Sequence, residues 1–184
     1  VNHTQPILLI LDIDETLLHA TVQTLAHSPD CRIGPYVVYL RPYFTEFLEQ
    51  TSQLFKLALW SSSSPDYVQA IVSQIIPASV SLEFAWSRDR CITRFDPEWQ
   101  SYYYVKDLRK VKRCGYDLNR TLIVDDTPRK LERNYGNAIY VTPWFGDDRH
   151  DNELQRLAAY LPKLCGEPNL RRIEKRYWKN SGQF

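Results

Sequence analysis

The chain has 184 residues, 43% of them hydrophobic and 24% charged, with a net charge of +1. These are ordinary globular values, enough for one domain with a proper core plus a small insertion. The near-zero charge gives no global case for nucleic acid or a membrane surface, and no apolar run approaches the ~20 residues of a membrane span. The start leads from polar residues straight into an apolar run, without a signal-peptide pattern. The chain begins at Val1 and contains no Met, which points to missing flanking sequence.

In chain order, residues 7–13 predict a strand buried on both faces, because the run is apolar almost throughout. It ends in Asp12-Ile13-Asp14-Glu15-Thr16. Residues 19–40 carry two turn signals, Ser28-Pro29-Asp30 and Gly34-Pro35, then a strand at Tyr36–Leu40, so a hairpin or flap follows the acidic pair. Pro42 and the spacing of Phe44, Phe47 and Leu48 predict a helix over 43–50. A second apolar strand, Phe55 to Trp60, ends in Ser61-Ser62-Ser63-Ser64-Pro65. A helical stripe over 66–76 is stopped by Pro77.

Residues 82–104 are rich in aromatics and predict short strands and a loop inserted into the core fold. Lys106 to Cys114 predicts a basic helix closed by Gly115. Leu122-Ile123-Val124 is a third buried strand and meets Asp125-Asp126-Thr127-Pro128; 138–141 is a fourth. Residues 151–164 form an amphipathic helix. The domain is expected over 1–165, followed by a basic tail, 166–184, most simply a solvated helix, with a nucleic-acid role for Arg171, Arg172, Lys175, Arg176 and Lys179 as the alternative.

Alternating strands and helices predict an α/β fold, a parallel sheet with helices on both faces and no large cap domain. Ligands in such sheets bind beyond the carboxyl ends of the strands. Three apolar strands end in Asp12/Asp14, Ser61 and Asp125/Asp126, so one rim gathers all of them. A buried carboxylate needs a partner, a proton or a metal, and two close carboxylates repel without a cation. The chemistry implied is a hard divalent cation, Mg²⁺ by preference, and an anionic substrate. Read alone, Asp12/Asp14 also suits solvated acids capping the next turn, Ser61 suits a serine-rich helix start, and Lys106 suits the surface.

Cys31, Cys91, Cys114 and Cys165 are far apart in sequence and form no C-x-x-C pair, which disfavours zinc and fits a reduced, intracellular protein, cytoplasmic or nuclear. A monomer is expected. Among the histidines, His3, His19, His27 and His150, His19 stands nearest the first acidic pair.

The pentapeptide Asp12-Ile13-Asp14-Glu15-Thr16 after a buried strand resembles the first motif of the haloacid dehalogenase superfamily of phosphotransferases. Ser61, Lys106 and Asp125-Asp126 follow in the order of its other three motifs. Lys106-Asp107-Leu108, Leu122-Ile123-Val124-Asp125-Asp126-Thr127-Pro128, Arg41-Pro42 with Glu46-Phe47-Leu48, and Trp144-Phe145 with Asp151, Glu153 and Leu154 narrow the resemblance. They are similar to the Fcp/Scp subgroup, phosphatases of the RNA polymerase carboxy-terminal domain, over roughly residues 7–164.

The resemblance implies Asp12 as the nucleophile that forms an aspartyl-phosphate and Asp14 as the acid and base, with its backbone carbonyl on Mg²⁺. It implies Thr16 as a hydroxyl that steadies the loop, Ser61 with the backbone N–H of Ser62 on a phosphate oxygen, and Lys106 as the neutralising ammonium. Asp125 and Asp126 would complete the metal site, Asp126 directly and Asp125 through water or by orienting Lys106. The implied substrate is phosphoserine or phosphothreonine in a protein. A phosphatase of small metabolites and a non-catalytic phospho-binding module of the same fold are the alternatives. Trp60-Ser61-Ser62-Ser63 and Asp126 depart from the subgroup's usual Phe-Thr-Ala-Ser and Asn. The aromatic insertion suits either a grip on a peptide or a small core of its own.

Overall fold

The computed structural model describes residues 6–180; His3 and the last four residues of the tail lie outside the described residues. In chain order the elements are β1 (Ile7–Leu11), β2 (Leu18–Thr21), β3 (Cys31–Ile33), β4 (Tyr36–Leu40), α1 (Phe44–Ser52), β5 (Phe55–Trp60), α2 (Pro65–Gln74) and β6 (Leu82–Trp86). After these come β7 (Ile92–Asp96), β8 (Ser101–Val105), α3 (Arg109–Arg113), β9 (Thr121–Asp125), β10 (Ala138–Tyr140) and α4 (Glu153–Tyr160), with short 3₁₀ turns between.

The main sheet has the order β10-β9-β1-β5-β6, and every pairing in it is parallel. This is the expected α/β architecture. The unbroken apolar run of β1 follows from its central place. Ile7, Leu9 and Leu11 face one core with Phe47 and Leu48 of α1, Ile71 of α2 and Leu157 of α4. Leu8 and Ile10 face a second core with Trp60, Trp86, Leu108, Val111 and Ile123. A strand covered on both faces has no polar side to show.

The flap after β1 is a three-stranded antiparallel sheet, β2-β4-β3, and β7 pairs with β8 as a separate hairpin. Three expectations need correction. The sequence pattern puts the insertion at 82–104, but β6 pairs with β5 and is the edge of the main sheet. The inserted piece therefore starts after Trp86, and short strands of similar composition could not be told apart by periodicity.

The sequence predicts a basic helix from Lys106; α3 starts at Arg109. Asp107 Oδ1 accepts the Arg109 N–H at 3.0 Å and competes with helical pairing at that point.

The sequence predicts a tail outside the domain after 165. Instead Leu170 and Trp178 are buried in the first core, and Trp178 Nε1 donates to the Tyr140 carbonyl at 2.8 Å. Lys175 Nζ donates to the carbonyls of Leu170, Ile173 and Gly136 at 2.7, 2.8 and 2.9 Å, so this basic residue is an internal clasp. The segment holds two 3₁₀ turns, Leu170–Arg172 and Trp178–Asn180, in place of a solvated helix.

Candidate active site

The carboxyl ends of β1, β5 and β9 meet, as the strand pattern predicted. β1 runs one residue past its last pair: Asp12 N–H donates to the Val124 carbonyl at 2.9 Å, which sets Asp12 beside Asp125. The Ile13 carbonyl then accepts from the N–H groups of Thr16, Leu17 and Leu18, closing a tight turn with Glu15 at φ 60. That turn swings Asp14 away from β9 and toward the end of β5.

Two carboxylate environments result. Asp12 and Asp125 are buried, and Lys106, fully buried, lies between them at 2.7 Å from Asp12 Oδ1 and 2.5 Å from Asp125 Oδ2. Asn134 fixes the Lys106 backbone: its amide donates to the Lys106 carbonyl and its Oδ1 accepts the Leu108 N–H. Asp14 instead accepts from three hydroxyls, Tyr67 at 2.6 Å, Ser63 at 2.8 Å and Ser61 at 3.3 Å.

The titration behaviour follows from these settings. Burial works to raise the Asp12 carboxyl, but Lys106 and Lys130 overcome it and hold it below the ordinary range. Burial raises Asp14, and its hydroxyl donors offset only part of this. Burial and the adjacent Asp12 push Asp125 up to about 7. Burial would depress Lys106, yet Asp12 and Asp125 raise it, so the ammonium stays charged.

A hard divalent cation fits the donor set. Oxygens of Asp12, Asp125 and Asp126 lie within 4.8 Å of one another, the span of an all-oxygen cage. Asp126 Oδ1 is buried without a hydrogen-bond donor. Asp125 is already engaged, since its Oδ1 accepts the Thr127 N–H at 2.9 Å and its Oδ2 takes Lys106. Asp126 Oδ1 is thus the oxygen left open, and Asp125 Oδ2 is taken up by Lys106. The Asp14 carboxylate stands outside this cluster.

Most residues read from the sequence come together here, with one change of role. The resemblance implies a Thr16 hydroxyl that steadies the loop; it is buried and makes no hydrogen bond. The Thr16 carbonyl does the steadying, accepting from Arg41 Nη1 at 3.1 Å. The Ser61 hydroxyl donates to Asp14 at 3.3 Å and accepts the Ser63 N–H at 2.9 Å. Ser62, by contrast, lines a cleft of ≈ 330 Å³ with Asp14, Ser63, Tyr67, Arg88 and Lys130. His19 pairs with Glu15 at 3.0 Å and packs edge-on to Phe145, apart from the carboxylate cluster.

Lys130, Ser63, Tyr67 and Asn134 escaped the sequence reading. Tyr67 offered the one usable signal: a tyrosine on the buried stripe of α2, whose hydroxyl needs a partner. Lys130 reads as one more surface base after Thr127-Pro128.

The chain matches the model of the NLI interacting factor-like phosphatases over residues 7–171. It belongs to that family. Among curated members, a CTD small phosphatase-like protein 2 of Dictyostelium discoideum is 29% identical over 92% of this chain and 30% of its own length. The human carboxy-terminal domain RNA polymerase II polypeptide A small phosphatase 2 is 30% identical over 87% of this chain and 58% of its own. The chain therefore spans between about a third and three fifths of these relatives. Among solved structures, fission yeast RNA polymerase II CTD phosphatase Fcp1, with beryllium fluoride bound, superposes with a TM-score of 0.65 at 17% identity. That match covers 87% of this chain and 62% of the other, and it carries the fold. In this member of the family, Lys106 and the paired Asp125-Asp126 occupy the same rim as the Asp12-Ile13-Asp14 loop.

Proposed function

We propose that this chain is a Mg²⁺-dependent protein phosphatase acting on phosphoserine or phosphothreonine through an aspartyl-phosphate on Asp12. One observation carries the reading: Asp12 lies between two ammonium groups, Lys106 at 2.7 Å and Lys130 at 3.0 Å, while Asp14, two residues on, is bonded to hydroxyls and raised by burial. Two neighbouring carboxyls driven apart in pKa are suited to nucleophile and acid roles.

The steps follow from those groups. An Asp12 oxygen attacks phosphorus, the ester P–O bond breaks, and Asp14 gives its proton to the departing serine or threonine oxygen. Asp14, now a base, takes a proton from water as that water attacks phosphorus. The bond from Asp12 to phosphorus breaks and inorganic phosphate leaves. Lys106 keeps Asp12 ionised and faces the developing charge, while the Ser62 backbone and the cleft beside it receive phosphate oxygens. Asp12, Asp126 and Asp125 would hold Mg²⁺, which when bound neutralises the phosphoryl oxygens during transfer.

The relatives named as RNA polymerase II carboxy-terminal-domain phosphatases favour a phosphorylated peptide of that kind. Among the described residues no large cap covers the rim, so an extended chain has access.

The experiment compares the native protein with Asp12→Asn on phosphopeptides, sugar phosphates and nucleotides, with and without EDTA. Turnover of phosphopeptides that EDTA removes, Mg²⁺ restores and Asp12→Asn abolishes is expected. Full activity in Asp12→Asn would remove the mechanism. A preference for sugar phosphates or nucleotides would move the substrate class to metabolites.

A further inference from the structure

Lys130 stands on the short 3₁₀ turn Pro128–Leu131, and its ammonium lies 3.0 Å from Asp12 Oδ2, 3.6 Å from Asp126 Oδ1 and 3.8 Å from Asp125 Oδ1. Lys106 takes the other oxygen of Asp12 and of Asp125. The two lysines thus divide the cluster, and Lys130 faces the oxygens left for a metal. Mg²⁺ binds carboxylate oxygens at about 2.1 Å, so the ammonium and the metal exclude each other there.

We propose that Lys130 is a resident counter-cation, displaced by the divalent metal into the neighbouring cleft, where it meets the substrate phosphate. The inference rests on the phosphatase reading above. Charge supports it. With all three aspartates ionised, Lys106 and Lys130 leave one negative charge unmatched. When a divalent cation replaces Lys130, the cluster is neutral and the Lys130 charge is released for a dianionic phosphate.

The surroundings allow the move. The backbone on either side is pinned: Arg129 pairs with Asp96 and stacks 3.7 Å over the Tyr103 ring, and Leu131 is fully buried. Only the flexible stem has to swing. Its side chain is 20% exposed while that of Lys106 is sealed, and it lines the cleft shared by Asp14, Ser62, Ser63 and Arg88. A lysine, with a compact charge on a four-carbon stem, suits such an exchange better than a planar arginine.

The test measures Mg²⁺ and Mn²⁺ binding by calorimetry, and thermal unfolding with and without metal, for the native protein, Lys130→Met and Lys130→Arg. Lys130→Met should bind metal at least about tenfold more tightly, since the competing cation is gone. Its metal-free form should melt lower, so metal should raise its Tm by more than it raises that of the native protein. The KM for a phosphopeptide should rise. Lys130→Arg, which keeps the charge, should stay near native metal affinity.

Unchanged or weaker metal binding in Lys130→Met would overturn the exchange while leaving the phosphatase reading in place. Absence of metal binding in all three proteins would overturn both. Should Lys130→Met unfold without metal and refold on adding it, the exchange would be supported, because metal would then be doing the work of the ammonium.

Discussion

Two charge clusters flank the first-motif loop, and they are built to opposite plans. On one side the Arg41 guanidinium, wholly buried, meets the Asp151 carboxylate in a two-pronged pair at 2.8 Å on each prong and also donates to the Thr16 carbonyl. Its charges match one to one and each guanidinium nitrogen donates a hydrogen bond. On the other side Asp12, Asp125 and Asp126 crowd around Lys106 and Lys130, with Asp126 Oδ1 lacking any donor. A matched pair holds a backbone in place. An unmatched cluster keeps an opening for a cation or for substrate charge. Burial alone does not separate scaffold from chemistry here; the balance of charges does.

That contrast can be broken by substitution. The largest effect is expected at the unmatched cluster. Asp12→Asn should lower phosphopeptide turnover on the order of 10⁴-fold, as loss of a covalent nucleophile does, with circular dichroism unchanged. At the matched pair the damage should appear in stability. Arg41→Met leaves the half-buried Asp151 carboxylate unpaired and takes the donor from the Thr16 carbonyl, and should cost about 1–3 kcal/mol in urea unfolding. A loss below about 1 kcal/mol would mean that the pair is ornamental.

A smaller change is expected at Asp14. Its Tyr67 hydrogen bond favours the carboxylate and so lowers a pKa that burial has raised. Tyr67→Phe should therefore raise that pKa. Asp14 must be protonated to release the alcohol, so the basic limb of kcat/KM against pH should move upward, with a loss of about tenfold or less at the optimum. A limb that stays put would remove Asp14 as the acid.

The smallest effect tests the scaffold pair by pH. Burial tends to raise Asp151, but Arg41 holds it below its usual value of 3.8. The native state thus binds fewer protons than the unfolded chain in that window. The stability from this pair is complete above pH 3.8 and is lost as pH falls through the lower, folded value. Asp151→Asn should flatten unfolding free energy against pH below about 4. An unchanged acid slope would place the acid sensitivity in the active cluster.

Much of the site was legible because strand ends are legible. β1, β5 and β9 are apolar runs that stop abruptly at Asp12, Ser61 and Asp125, and a parallel sheet must bring such ends to one rim. Lys106 could be read only through its order relative to the acidic strand ends, since nothing in its own neighbourhood marks a buried ammonium. Lys130 and Asn134 had no such order to lean on. Their roles come from a 3₁₀ turn and a side-chain bracket, which depend on how the segment after β9 folds back over β8. The Thr16 hydroxyl went astray for a related reason: residue type announces a donor, but only packing decides whether a partner is within reach.

The sequence by itself determined the α/β sheet, the acidic rim and the family, because apolar periodicity and residue order survive in one dimension. Tertiary structure alone decided that β6 belongs to the sheet, that Lys175 and Trp178 anchor the tail, and that Lys130 stands among the aspartates. Each of those depends on a distance between residues far apart in the chain, and Coulomb energy and hydrogen bonding act on distance.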